Sequence, residues 1–126
     1  MSKTVIQTQH APKAIGTYSQ GIKLQNLVFT SGQIPINPEN GELIENDFKL
    51  EVHQVLNNLN AVLKEGGSSL KLAVKLTVFL TDLTLFPEVN DVFDDYFPSD
   101  PPARSAFQVS ALPMNARIEI EAVGFI

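Results

Sequence analysis

Arg104 follows Pro101, Pro102 and Ala103, and about fifteen residues later Glu119 and Glu121 alternate along an apolar run. A guanidinium delivered by a stiff lead-in suits bidentate capture of a carboxylate, because its planar fork matches two oxygens as a Lys point charge cannot. Beside such a clamp, Glu119 would serve as a general acid/base or as a group that positions water. The same residues also allow a plainer arrangement. Arg104 could form a surface ion pair with Asp94, Asp95 or Asp100, worth at most about 1 kcal/mol, and the two glutamates could be solvated on an edge strand. Nearer the N-terminus, Gly16-Thr17-Tyr18-Ser19-Gln20 and Ser31-Gly32-Gln33 form two small polar clusters. Turn chemistry accounts for both, although Gly32, lacking a Cβ, would also let its backbone N–H approach a ligand closely.

Composition narrows the chemistry. The chain of 126 residues has no cysteine, which removes thiolate nucleophiles, disulfides and Cys-ligated metals, and has only two histidines, His10 and His53. These are too few and too far apart for the usual zinc constellations, so no metal is expected. Nine Lys and Arg against fourteen Asp and Glu give a net charge of −5. Such a chain has no basic field to neutralise phosphates, and nucleic acid is not an expected partner. Residues 1–30 have no apolar signal core, and no uncharged apolar run approaches the roughly 20 residues of a membrane span, which makes the default expectation cytoplasmic with no membrane partner.

The elements that must position these residues form one domain over 1–126, without repeats or low-complexity segments. A short strand is expected at Val5–Gln7, then a polar loop through His10, Pro12 and Gly16. A hairpin of 21–24 and 27–31 follows, turning at Gln25-Asn26, where Asn tolerates positive φ. Residues 33–46 form a loop with a turn at Asn40-Gly41. Asp47 caps a helix whose apolar stripe is Phe48, Val52, Val55, Leu56, Leu59, Val62 and Leu63, ended by Gly66-Gly67. Its opposite face carries Lys49, His53, Asn57, Asn60 and Lys64, placing His53 in water.

Residues 74–81 alternate, with Val74, Leu76, Val78 and Leu80 on one face and Lys75, Thr77, Phe79 and Thr81 on the other. A second helix spans about Phe86–Phe97, with Pro87 in its first turn, Val89, Val92, Phe93 and Tyr96 inward, and Asp91, Asp94 and Asp95 wet. The prolines that follow lead into a strand from Ala103 toward Ser110. Leu112–Asn115 turns the chain into a last strand over 117–123, with Ile118, Ile120 and Ala122 on one face and Glu119 and Glu121 on the other. The resulting α+β order is β-β-β-α-β-α-β-β, a mixed sheet with two helices packed on one face. Phe29, Phe79 and Val123 fall on the uncovered side with Glu119, which calls for cover by another subunit.

Taken together, the segments 14–20, 29–35, 40–43, 78–83, 86–90, 102–105 and 118–122 resemble the RidA/YjgF family of reactive-intermediate (enamine/imine) deaminases in order and spacing, across nearly the whole chain. The resemblance implies a chorismate-mutase-like subunit in a homotrimer, with a cleft between each pair of neighbours. It implies cofactor-free hydrolysis of 2-aminoacrylate and 2-iminobutanoate, released by pyridoxal-phosphate enzymes, to 2-keto acids and ammonia. Matched by motif, Arg104 would bind the substrate carboxylate, and Tyr18, Ser31, Gly32, Phe86 and Asn90 would line the cleft. Glu119 and the main-chain carbonyl of Ala106 would hold the attacking water. Two positions depart from the family pattern. Thr17 stands where many members have Pro, which loosens the loop before Tyr18, and Ala106 replaces a frequent Cys while keeping the carbonyl. Two other activities compete with turnover: a trimer that binds a small carboxylate for regulation without converting it, and a ribonuclease or translation inhibitor. The acidic charge and the lack of a catalytic His pair argue against the latter.

Overall fold

The computed structural model describes residues 2–126. Its strands are β1 (Thr4–Ile6), β2 (Gly21–Leu24), β3 (Leu27–Thr30), β4 (Ala73–Leu80), β5 (Ala103–Gln108) and β6 (Ile118–Phe125), and its helices are α1 (Phe48–Glu65) and α2 (Phe86–Tyr96). The order is the one anticipated. All six strands join one sheet in the order β1-β2-β3-β6-β4-β5. Only the β4–β5 pair is parallel, because α2 forms the crossover between those two strands.

α1 begins where Asp47 accepts the Leu50 N–H at 3.2 Å, and it stops where Gly67 takes φ +92°, a backbone angle that suits glycine. Its stripe of Val52, Val55, Leu56, Leu59, Val62 and Leu63 is fully buried against Val28, Leu76, Val78, Leu80, Ile118 and Ile120 of the sheet. Each such side chain contributes on the order of 1.5–3 kcal/mol of burial, so this interface dominates the fold. At the far end of the layer Arg117 pairs bidentately with Glu51, which is 2% exposed, and so ties the start of β6 to α1.

Four local expectations are corrected. Gln25, not Asn26, takes the positive φ of the hairpin turn (53°), while the Asn26 carbonyl accepts the Ile126 N–H at 3.0 Å. Val74 does not share the apolar face of β4. A bulge between Ala73 and Lys75 inserts it as an extra residue and leaves it 42% exposed. His53 is half-buried rather than free in water, with Nδ1 2.9 Å from the Tyr96 hydroxyl, because α2 packs alongside α1 and carries that ring across. Finally, β6 lies inside the sheet between β3 and β4, which removes the edge-strand reading of Glu119 and Glu121.

Candidate active site

The strand pairing decides which face each candidate residue occupies. Arg104 lies opposite Leu76, and Ala106 opposite Val78, both on the helix-covered face. Glu119 lies opposite Phe79, which in turn lies opposite Phe107, on the uncovered face. Side chains of paired residues share a face. Within one chain, therefore, the Arg104 group and the Glu119 group project from opposite sides of the sheet.

On the helix side, the Arg104 guanidinium donates from Nη1 to Asn90 Oδ1 at 2.8 Å and sits 4.7 Å over the Phe86 ring and 5.5 Å over the Phe93 ring. Phe86, Asn90 and Phe93 follow one another at spacings of four and three, a single stripe of α2. Among the described residues the ion pairs are Lys49–Asp91 and Arg117–Glu51, so Arg104 pairs with none of Asp94, Asp95 or Asp100. Its hydrogen bond to Asn90 uses one N–H of the fork and leaves the others for an incoming anion. A recess of about 370 Å³ adjoins it, bounded by Asn90, Phe93, Asp94, Phe97, Pro101 and Pro102.

On the open side, Gly32 follows β3 and is held against β6 by two hydrogen bonds between Gln33 and Ile120, at 2.9 and 3.1 Å. A Cβ at Gly32 would fall on the Glu119 carboxylate, so any other residue here would push that carboxylate out of its position. Burial raises the pKa of Glu119 above the usual 4.5, and the negative charge of Glu121 raises it further. Nearby, Tyr18 (53% exposed) and Ser31 share a hollow of about 550 Å³ with Thr17, Ser19, Ile22, Phe29 and Lys3. Ser31 Oγ donates to the Ser19 carbonyl at 2.6 Å, and the Tyr18 hydroxyl accepts from the Ile15 N–H at 3.4 Å.

The structure thus assembles Phe86, Asn90 and Arg104 as one group, Gly32 with Glu119 as a second, and Tyr18 with Ser31 beside a hollow. Ala106 lies half-buried on β5, and no single chain unites all of them. Gln20 turns out to be structural: it is buried, accepts the Thr8 N–H at 2.7 Å and donates to the Pro12 carbonyl at 2.8 Å. Two residues escaped sequence reasoning. Phe93 reads as core until the four-and-three spacing from Phe86 through Asn90 is noticed. Lys3 carries no sequence signal that places it near Tyr18.

A family model described as Endoribonuclease L-PSP matches residues 8–126. The chain belongs to the RidA/YjgF family. This RidA-family chain is 48% identical over 125 residues to a RutC family protein of Pyrococcus abyssi, covering 99% of this chain and 98% of that one. It is 44% identical over 121 residues to the human 2-iminobutanoate/2-iminopropanoate deaminase, covering 96% and 88% of the two chains. Among solved structures it resembles the Rid-family protein YyfA of Yersinia pestis at TM-score 0.95 and 46% identity, over 99% of this chain and 100% of the other.

Proposed function

We propose that this protein hydrolyses small enamine and imine acids, of the kind of 2-aminoacrylate and 2-iminobutanoate, to 2-keto acids and ammonia. The observation that carries the reading is the Arg104 fork, held by an amide and two rings with no acidic partner and with donors to spare. A relative named as a deaminase at 44% identity supports it. Because the Arg104 and Glu119 groups leave opposite faces of one sheet, the proposal requires an oligomer, a homotrimer as the family resemblance implies, in which Arg104 of one subunit meets Glu119 of its neighbour. The uncovered face fits that requirement: Phe29, Phe107 and Phe125 are 39%, 52% and 42% exposed there.

The chemistry follows from the residue types. An enamine that gains a proton at its terminal carbon becomes an iminium, the protonated imine, whose C2 is electrophilic. Arg104 fixes the carboxylate, and Tyr18, Ser31 and Gly32 limit the space around C2. Water held by Glu119 and the Ala106 carbonyl attacks C2. As the C–O bond forms, the C=N π pair moves to nitrogen and a water proton passes to the Glu119 carboxylate. Glu119 returns that proton to the amine, and as the C–N bond breaks the hydroxyl gives its own proton to the departing ammonia, leaving the 2-keto acid and ammonium. A pKa raised by burial and by the charge of Glu121 suits a group that must take and return a proton in each cycle.

A coupled assay tests this directly: threonine dehydratase supplies 2-iminobutanoate, and 2-oxobutanoate formation should accelerate when the protein is added. No acceleration would leave the second reading, a regulatory binder of small carboxylates, which the same Arg104 fork would serve. The family description names an endoribonuclease, but a net charge of −5 speaks against that activity here.

A further inference from the structure

Helix α2 is strongly acidic, with Glu88, Asp91, Asp94 and Asp95 among its eleven residues. The one side chain it hydrogen-bonds to Arg104 is nevertheless the neutral amide of Asn90. An aspartate at this position would have nearly the same size and would accept the same hydrogen bond. It would also neutralise the guanidinium and compete with any ligand anion. The ring faces of Phe86 and Phe93 act in the same sense, since they attract the cation and immobilise its plane without supplying an acceptor.

We infer that Asn90 is a positioning residue: its carbonyl holds the Arg104 fork against Phe86 and Phe93 while leaving the positive charge free for a ligand carboxylate. It acts through Arg104, a role beyond the cleft-lining one that the family resemblance implies, although it also borders the recess beside Arg104. This inference rests on the carboxylate-clamp reading of Arg104 given above. The neutrality of the partner is then a specificity device, because only an uncompensated guanidinium prefers an anionic ligand over its neutral analogue.

The test compares Asn90→Ala and Asn90→Asp in the full-length protein, each alone and in an Arg104→Ala background. Asn90→Ala should lower kcat/KM for 2-iminobutanoate by about ten- to a hundredfold, chiefly through KM, as expected for loss of a hydrogen bond to a charged group. Asn90→Asp should not rescue it, despite retaining shape and acceptor. A wild-type KM in Asn90→Asp would overturn the role assigned to neutrality. In the Arg104→Ala background, Asn90→Ala should cause no further loss, because a residue acting through Arg104 has nothing left to act on. A second loss of similar size would mean direct ligand contact and would overturn the inference. Should Arg104→Ala itself leave hydrolysis unchanged, the clamp reading falls, and the Arg104 side-chain N–H resonances decide the positioning. They should be resolved in the wild type and averaged by rotation in Asn90→Ala. Identical spectra in the two proteins would show that Asn90 does not hold the fork.

Discussion

Around Arg104 the groups in contact are neutral, an amide at 2.8 Å and two phenyl rings. Around Glu119 the setting is the reverse, a half-buried carboxylate with a second carboxylate, Glu121, two residues along the same face. The first environment sits on an outer strand and supplies no carboxylate within ion-pair distance among the described residues. The second sits on an interior strand and penalises a charge. The contrast suits the two tasks proposed for these groups: a cation that stays charged to hold an anion, and an acid that changes its charge easily.

The harshest way to break this comparison is Arg104→Ala. Having no ionic partner among the described residues, Arg104 should contribute little to folding, and the thermal midpoint should change by no more than a surface substitution would cause. Turnover of 2-iminobutanoate should nevertheless fall by about thirty- to several-thousand-fold in kcat/KM, the loss expected for removing one partner of a desolvated charge-assisted pair. Arg104→Lys should recover little of it. A folded Arg104→Ala protein with wild-type kinetics would sink the mechanism.

Because the two groups leave opposite faces, they should complement in trans. Arg104→Ala and Glu119→Gln proteins, each nearly inactive alone, should regain about a quarter of wild-type activity when unfolded together and reassembled at equal ratio, the random yield of interfaces with both intact residues. No recovery, despite mixed oligomers seen by native mass spectrometry, would place both residues of a working site in one chain.

The Glu119 environment is sharpened by pH. Folding raises its pKa above 4.5, so the folded state binds this proton more tightly than the unfolded chain does. Stability linked to this group is therefore present at low pH and is lost as pH rises from about 4.5 through the raised value. Glu119→Gln should melt above the wild type at pH 7, and the difference should disappear as pH falls below 4.5. Equal melting points across the range would mean that burial imposes no cost on this carboxylate. The smallest effect is expected for Tyr18→Phe, which keeps the ring and removes a hydroxyl whose recorded bond is a long 3.4 Å; kcat/KM should drop by only a few-fold.

Much of this architecture is legible in the chain because its signals are local. Asp47, the three-and-four stripe through Leu63 and the paired glycines define α1 from within its own residues, and the alternation of Ile118, Ile120 and Ala122 with Glu119 and Glu121 defines both faces of β6. The candidate residues are legible too, since Arg104 behind its prolines, Gly32 between Ser31 and Gln33, and Glu119 in its strand each carry a recognisable setting.

What escapes is long-range. Val74 looks like a fourth apolar residue of β4 until pairing with β6 inserts the bulge, and His53 looks solvated until α2 brings Tyr96 to it. Phe93 is core, as its stripe suggests, but only the tertiary fold lays Arg104 across its ring. Alternation within a strand is written in the sequence, but the register between strands is not, and a shift of one residue exchanges the faces. Sequence alone therefore determined the elements and the residues able to do chemistry. Only the tertiary pairing of Leu76 with Arg104 and of Phe79 with Glu119 decided that these two side chains look in opposite directions.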